Sequence, residues 1–121
     1  MALLSDEITG VIINAYYVVY NLLPRGLTEV LYQRALAIEL AEYGLEIERE
    51  RPFEVRYRDQ CIGIYRADLV VNGFVLIETK CAERLGQVHR EQVTRYLRVS
   101  GLPIGLLFNF GDRAEVRRIL P

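Results

Sequence analysis

The sequence predicts an α/β domain of the α+β kind, with helices flanking a central mixed sheet of about four strands in the chain order ααβββαβ. Three observations carry that prediction. Apolar residues recur at three-and-four spacing in the first part of the chain and again around Val93. Strict alternation sets Phe53, Val55 and Tyr57 against Glu54, Arg56 and Arg58. The runs Leu69-Val70-Val71, Phe74-Val75-Leu76-Ile77 and Ile104-Gly105-Leu106-Leu107-Phe108 ask for strands covered on both faces, as at the centre of a sheet.

The first helix runs from about Asp6 to Asn21, with Ile8, Val11, Ile12, Ala15, Val18, Val19 and Leu22 on its apolar side, Ser5 as N-cap, and Pro24 and Gly26 ending it. A second helix runs from about Leu27 to Tyr43. Thr28 lies near its start, and Gly44 supplies the left-handed residue that closes it. Its apolar positions form two stripes, Leu27, Val30, Leu31, Ala35 and Ile38 in one, Tyr32, Leu36, Leu40 and Tyr43 in the other. Glu29 heads the second stripe and is expected to look along the domain rather than straight into water.

Glu46 to Tyr57 reads as a one-sided antiparallel strand. A turn at Arg58-Asp59-Gln60 leads into a strand from about Cys61 to Val71, and Asn72-Gly73 turns the chain into Phe74 to Lys80. The third helix spans about Gln87 to Val99, with Gln92, Val93, Tyr96 and Leu97 inward and Glu91 paired with Arg95 outside. Gly101 and Pro103 stop it. After the strand from Ile104, Glu115 to Ile119 adds a short edge strand or a helical turn.

At 121 residues the chain has the length of one ordinary domain, and 1–121 is expected to fold as a single unit. With 51% hydrophobic and 26% charged residues the composition is globular. Fifteen basic and sixteen acidic side chains leave a formal net charge of -1, which excludes a generic polyanion-coating protein; nucleic acid must be held by a local patch. The apolar run Val11 to Tyr20 is too short and interrupted to span a bilayer, and no basic segment precedes a cleavage site. A cytoplasmic protein without membrane contact is expected. Cys61 and Cys81 show neither zinc spacing nor a disulfide framework, and are expected as two buried thiols in a reducing compartment.

Charged groups interrupt the apolar centre. Asp68 precedes Leu69-Val70-Val71, while Glu78 and Lys80 follow Phe74 to Ile77. Two carboxylates brought together by a hairpin repel unless they share a proton or a cation, and a divalent metal with oxygen ligands, Mg2+ or Mn2+, would supply that cation. Register decides whether they meet. A two-residue Asn72-Gly73 turn sets Asp68 opposite Ile77 and separates the carboxylates; a three-residue loop Val71-Asn72-Gly73, or a bulge near Asp68, puts Asp68, Glu78 and Lys80 on one face. One of these two is expected. Lys80 is the only lysine among fifteen basic residues, which fits a position that needs a compact ammonium rather than a guanidinium. The alternative is a structural ion-pair cluster at a strand end.

Asp68, nine intervening residues and Glu78-Thr79-Lys80 resemble the D-x(n)-(D/E)-x-K signature of the PD-(D/E)XK nuclease superfamily. Gly26-Leu27-Thr28-Glu29-Val30-Leu31-Tyr32 resembles the G-x-x-E-x-x-Y signature of the GxxExxY protein family within it. The likeness extends from about Gly26 to Phe110, through Arg66-Ala67-Asp68, Glu91-Gln92 with Tyr96-Leu97, and Gly105 to Phe110. It implies a restriction-endonuclease-like core with residues 1–25 as an additional N-terminal helix. It implies Asp68 and Glu78 as metal ligands, the Thr79 backbone carbonyl as a third, and Lys80 as the group orienting the attacking water. It also implies Glu29 as a further carboxylate and metal ligand, and Gln92 approaching from the third helix. The activity implied is Mg2+- or Mn2+-dependent phosphodiester hydrolysis, with nucleic acid as partner, DNA first and RNA second. Ala67 stands where the motif has proline, and Thr79 is polar where the family has an apolar residue; the Thr79 side chain is expected to point away from the site.

Other readings stand beside these. Glu29 at a first helical turn is favoured by the helix dipole, by about 0.3 to 1 kcal/mol. His89 is expected at the surface, and Tyr16, Tyr17 and Tyr20 as core and helix contacts rather than a base-stacking platform. Arg49, Arg51, Arg56 and Arg58 on one strand, with Arg84, Arg90, Arg95 and Arg98 along the third helix, are expected as solvated faces paired with nearby glutamates rather than a phosphate track. The rival to an enzyme is a non-catalytic nucleic-acid- or protein-binding module that keeps the fold. A third reading is a homodimer through the apolar first helix.

Overall fold

The computed structural model describes residues 5–121. Their elements follow in the order α1 (Ser5–Leu22), α2 (Glu29–Ala41), β1 (Ile47–Tyr57), β2 (Gln60–Val71), β3 (Val75–Lys80), α3 (Gln87–Ser100), β4 (Ile104–Asn109) and β5 (Glu115–Ile119). The strands form one mixed sheet in the order β1-β2-β3-β4-β5, with β3 and β4 parallel and the other neighbours antiparallel. The sheet thus has five strands rather than about four, because Glu115–Ile119 pairs along β4 as an edge strand. β3 lies at the centre, as its unbroken apolar run requires.

Helices cover both faces. Ile8, Ile12 and Tyr16 of α1 and Tyr32, Leu36 and Leu40 of α2 pack on Leu69, Val71, Val75, Ile77, Leu106 and Phe108. On the opposite face Val93 and Leu97 of α3 pack on Ala67, Val70, Leu76 and Leu107. The apolar face of α1, on which the homodimer expectation rested, is therefore spent inside the chain: Ile8, Ile12, Ala15, Tyr16 and Val19 are all buried. Tyr16 stacks on Phe108 with ring centroids 4.4 Å apart, whereas Tyr17 is exposed and meets Tyr16 edge-on along the helix, at 5.0 Å between centroids. Among the described residues no helix is long and apolar enough to cross a membrane.

α2 starts after Thr28, whose extended backbone occupies the N-cap position, and is followed by Gly44 at φ 75°. Of the second stripe Tyr32, Leu36 and Leu40 are buried and Tyr43 is exposed, while Val30, Leu31 and Ile38 of the first face water. That choice turns the side of the helix bearing Glu29 toward the sheet.

The hairpin from β2 to β3 pairs Val71 with Val75, Val70 with Leu76 and Leu69 with Ile77. Its loop is Asn72-Gly73-Phe74, with φ 50° at Asn72 and 72° at Gly73. Neither frame considered from the sequence is used, but this one again has three loop residues and sets Asp68 level with Glu78. A second irregularity lies at the same level. β1 and β2 pair at Arg49 with Leu69 and at Arg51 with Ala67, but not at the intervening Glu50, whose φ is 54°. Across this kink the faces switch: Leu69 and Val71 belong to the α1/α2 side, whereas Ala67 lies on the α3 side and Tyr65 packs against it. The gap keeps the β1–β2 register on both sides and is not the bulge considered from the sequence; the level of Asp68 with Glu78 comes from the three-residue hairpin loop.

Past the end of β3 the chain is fixed by Asn109, buried at the end of β4. Its Oδ1 accepts from the N–H groups of Ala82 (2.9 Å) and Gly111 (3.0 Å), and its Nδ2 donates to the Ala82 carbonyl (2.9 Å) and Glu115 Oε1 (3.2 Å). Gly111 is needed for this approach, since a Cβ there would lie 1.9 Å from the Ala82 carbonyl oxygen. Both cysteines correct the expectation of buried thiols: Cys61 and Cys81 are free and exposed, one just after the β1–β2 turn and the other just beyond β3.

Candidate functional site

Asp68 and Glu78 meet where β2 and β3 stop pairing. Beyond Leu69 and Ile77 the ladder is replaced by side-chain hydrogen bonds. The Asp68 N–H donates to Glu78 Oε2 (2.9 Å), while Asp68 Oδ2 accepts from the Thr79 N–H (2.8 Å) and the Thr79 hydroxyl (3.1 Å). The Thr79 side chain thus binds Asp68, contrary to the expectation that it points away from the site. A strand residue directs its N–H and C=O to the same edge, so the Thr79 carbonyl faces the same gap.

Glu78 is only 4% exposed, yet it enters none of the ion pairs Arg51–Glu48, Arg56–Glu54, Arg117–Glu115 and Arg118–Asp6. Burial and the neighbouring Asp68 carboxylate push its pKa up to about 8, against the opposing pull of the Asp68 N–H and the Tyr65 hydroxyl. Tyr65 was not singled out in the sequence. Its hydroxyl donates to Glu78 Oε1 (2.9 Å), and burial followed by the Glu78 charge pushes its own pKa upward.

Lys80 is half-buried, one residue beyond Thr79 on β3. Its positive charge reaches Glu29, which is also partly buried. Burial and the Asp68 charge raise the Glu29 pKa, while Lys80 and the Cys81 backbone N–H oppose the rise. Among the described residues no three of His, Cys, Asp and Glu group as a metal site, while the Asp68 charge is felt at Glu29 across the end of β3. Gln92 comes from α3 but binds Tyr96, its Nε2 donating to the phenol oxygen (2.9 Å), and it is Tyr96 that stacks on Tyr65 with centroids 3.5 Å apart. Gln92 is therefore linked to Glu78 through two aromatic rings. A cavity of about 200 Å3 opens beside the end of β3, with Gly26, Leu27, Cys81 and Ala82 in its wall.

A comparison with protein families matches residues 6–119 to the PD-(D/E)XK nuclease superfamily. The chain belongs to the PD-(D/E)XK nuclease superfamily. Among solved structures it resembles the crystal structure of SSO0001, with a TM-score of 0.54, 20% identity and coverage of 76% of this chain. The chain spans about half the length of that structure, and at this identity the likeness concerns the fold. No curated protein matches the chain. The superfamily carries a nuclease fold, in accord with the arrangement of helices and mixed sheet described above.

The donors of this PD-(D/E)XK chain fit a divalent cation. Two neighbouring carboxylates, one of them raised in pKa first by its burial and then by the charge of the other, gain from a shared positive charge. Mg2+ is characteristically held by one or two carboxylates, keeping several waters and taking further oxygens from substrate phosphates, so a third protein carboxylate is not demanded.

Elsewhere, Arg51 bonds Glu48 at 3.2 Å and Arg56 bonds Glu54 at 2.7 Å, as expected of a solvated face. On α3 the expected Glu91–Arg95 pair is not formed; Glu91 instead accepts from Gln87 at 3.4 Å, and Arg84, Arg90, Arg95 and Arg98 stay exposed. His89, half-exposed, accepts from the Gly86 N–H at the start of α3 (3.0 Å).

Proposed function

We propose that this chain is a metal-dependent nuclease of the GxxExxY type, a single cytoplasmic domain hydrolysing phosphodiester bonds of DNA, with RNA as the second substrate. The observation that carries the reading is the contact between Asp68 and buried Glu78 at the point where two strands part, with Lys80 two residues on. Such a pair would destabilise a purely structural site, and a shared cation removes the repulsion.

Asp68, Glu78 and the Thr79 carbonyl are the residues that would hold Mg2+ or Mn2+. When bound, the ion polarises a phosphate oxygen and makes a water acidic enough to attack. Lys80 supplies a fixed positive charge against the negative charge that develops at phosphorus. Glu29, which feels the charges of both Asp68 and Lys80 from the α2 side, would add a further carboxylate toward the ion. Gln92 acts at a distance, holding the Tyr96 ring that supports Tyr65.

The test is cleavage of single- and double-stranded DNA and RNA in Mn2+ or Mg2+ by the wild type and Asp68→Asn. The expected result is metal-dependent DNA cleavage lost in the variant. Preference for RNA would reassign the substrate. No cleavage of any of these, with saturable nucleic-acid binding, would favour a non-catalytic module; both oxygens of Glu78 already accepting hydrogen bonds is the observation on that side.

A further inference from the structure

We infer that Tyr65 is a positioning residue for the metal-binding carboxylate of Glu78, held in place by an aromatic stack that runs from β1 to α3. The inference rests on the metal-dependent reading above.

An aromatic residue at this place needs no hydroxyl for packing. The Tyr65 ring lies between Phe53 on β1, with centroids 6.3 Å apart and planes 18° apart, and Tyr96 on α3, 3.5 Å and 19° apart. A phenylalanine would fill the same space. The hydroxyl, however, ends 2.9 Å from Glu78 Oε1, and Glu78 Oε2 takes the Asp68 N–H at the same distance. One donor on each oxygen fixes the carboxylate against rotation about its terminal bond. A carboxylate offers about four acceptor sites, so one lone pair on each oxygen remains for a cation.

The backbone makes this contact possible. With regular alternation along β2, Tyr65 and Ala67 would share a face with Leu69 and Val71, on the α1/α2 side. The kink at Glu50 and Asp68 moves them to the α3 side, where Tyr65 meets both Glu78 and Tyr96. The same irregularity therefore releases Asp68 from the ladder and delivers the residue that orients its partner. Hydrogen-bonded outer partners of metal ligands characteristically change metal affinity by about 10- to 100-fold when removed.

The experiment is calorimetric titration of Mn2+ into the full chain, wild type, Tyr65→Phe and Tyr96→Phe, each with a thermal melt. Tyr65→Phe keeps the stack and removes only the hydroxyl. The expected result is an Mn2+ Kd raised about tenfold or more, a melt close to wild type, and cleavage that recovers when Mn2+ is raised above the shifted Kd. A residue of purely packing value would give no such rescue by metal. Tyr96→Phe, which keeps the ring and removes only its contact with Gln92, raises the Mn2+ Kd less than Tyr65→Phe does; an effect larger than that of Tyr65→Phe would place the control of Glu78 in Tyr96 instead. Wild-type Mn2+ affinity in Tyr65→Phe overturns the assignment of Tyr65 alone. A wild type that binds no Mn2+ overturns it together with the metal-dependent reading beneath it.

Discussion

Lys80→Ala lowers metal-dependent cleavage by about 100- to 1,000-fold, the range found when one preorganised donor to a developing oxyanion is removed. Lys80 enters none of the ion pairs named above, and its charge is felt at Glu29. Its removal therefore leaves the melt near wild type and Mn2+ affinity within a few-fold. Lys80→Arg keeps the charge but replaces a compact ammonium with a planar fork on a longer stem, and it too falls well below wild type. Cleavage rates at saturating Mn2+ check both variants; an active Lys80→Ala enzyme would remove Lys80 from the mechanism.

The second large effect is on stability, and it has the opposite sign to the effect on function. Glu78 has a folded-state pKa of about 8, above its ordinary value of 4.5. Its protonated form is favoured on folding, so its contribution to stability is fully present below about pH 4.5 and is lost as pH rises toward 8. Without metal the protein should lose stability over that interval, by at most ~1 kcal/mol per pH unit from this group. Glu78→Gln carries no charge to bury. It is expected to melt higher than wild type at pH 8, to show a flatter pH dependence, and to bind no Mn2+. Melts at pH 5 and pH 8 in a chelator check this; equal slopes in the two proteins would show that Glu78 does not carry the buried charge.

The two predictions share a cause that was partly legible in the sequence. Asp68, Glu78 and Lys80 stand out because charged residues at the ends of apolar strands need partners, and the meeting of the two carboxylates follows from hairpin geometry. The particular frame was not legible. Phe74 reads as the first residue of β3, but its N–H bonds the Val71 carbonyl and its side chain packs against the core, so it closes the loop instead. Glu50 gives no sign of its positive φ, since neither it nor its neighbours is a glycine. Tyr65 was hidden for that reason: regular alternation directs it to the wrong face.

Helix patterns were more readable than polar roles. Tyr32, Leu36 and Leu40 form the buried side of α2, but spacing alone does not distinguish that stripe from Val30, Leu31 and Ile38, which face water. Asn109 looks like the end of an apolar run; its four hydrogen bonds depend on the approach of Ala82 and Gly111, a tertiary fact with no local signal. Gln33, buried on α2 with Oε1 lacking a hydrogen-bond partner, is likewise indistinguishable in sequence from a surface glutamine.

Calorimetric titration of Mn2+ and Mg2+ into the wild type beside Asp68→Asn tests the central claim most directly, since it requires no choice of substrate. The account predicts saturable binding in the wild type that is lost in Asp68→Asn while the fold is kept. Equal binding in the two proteins, or none in a folded wild type, would contradict it.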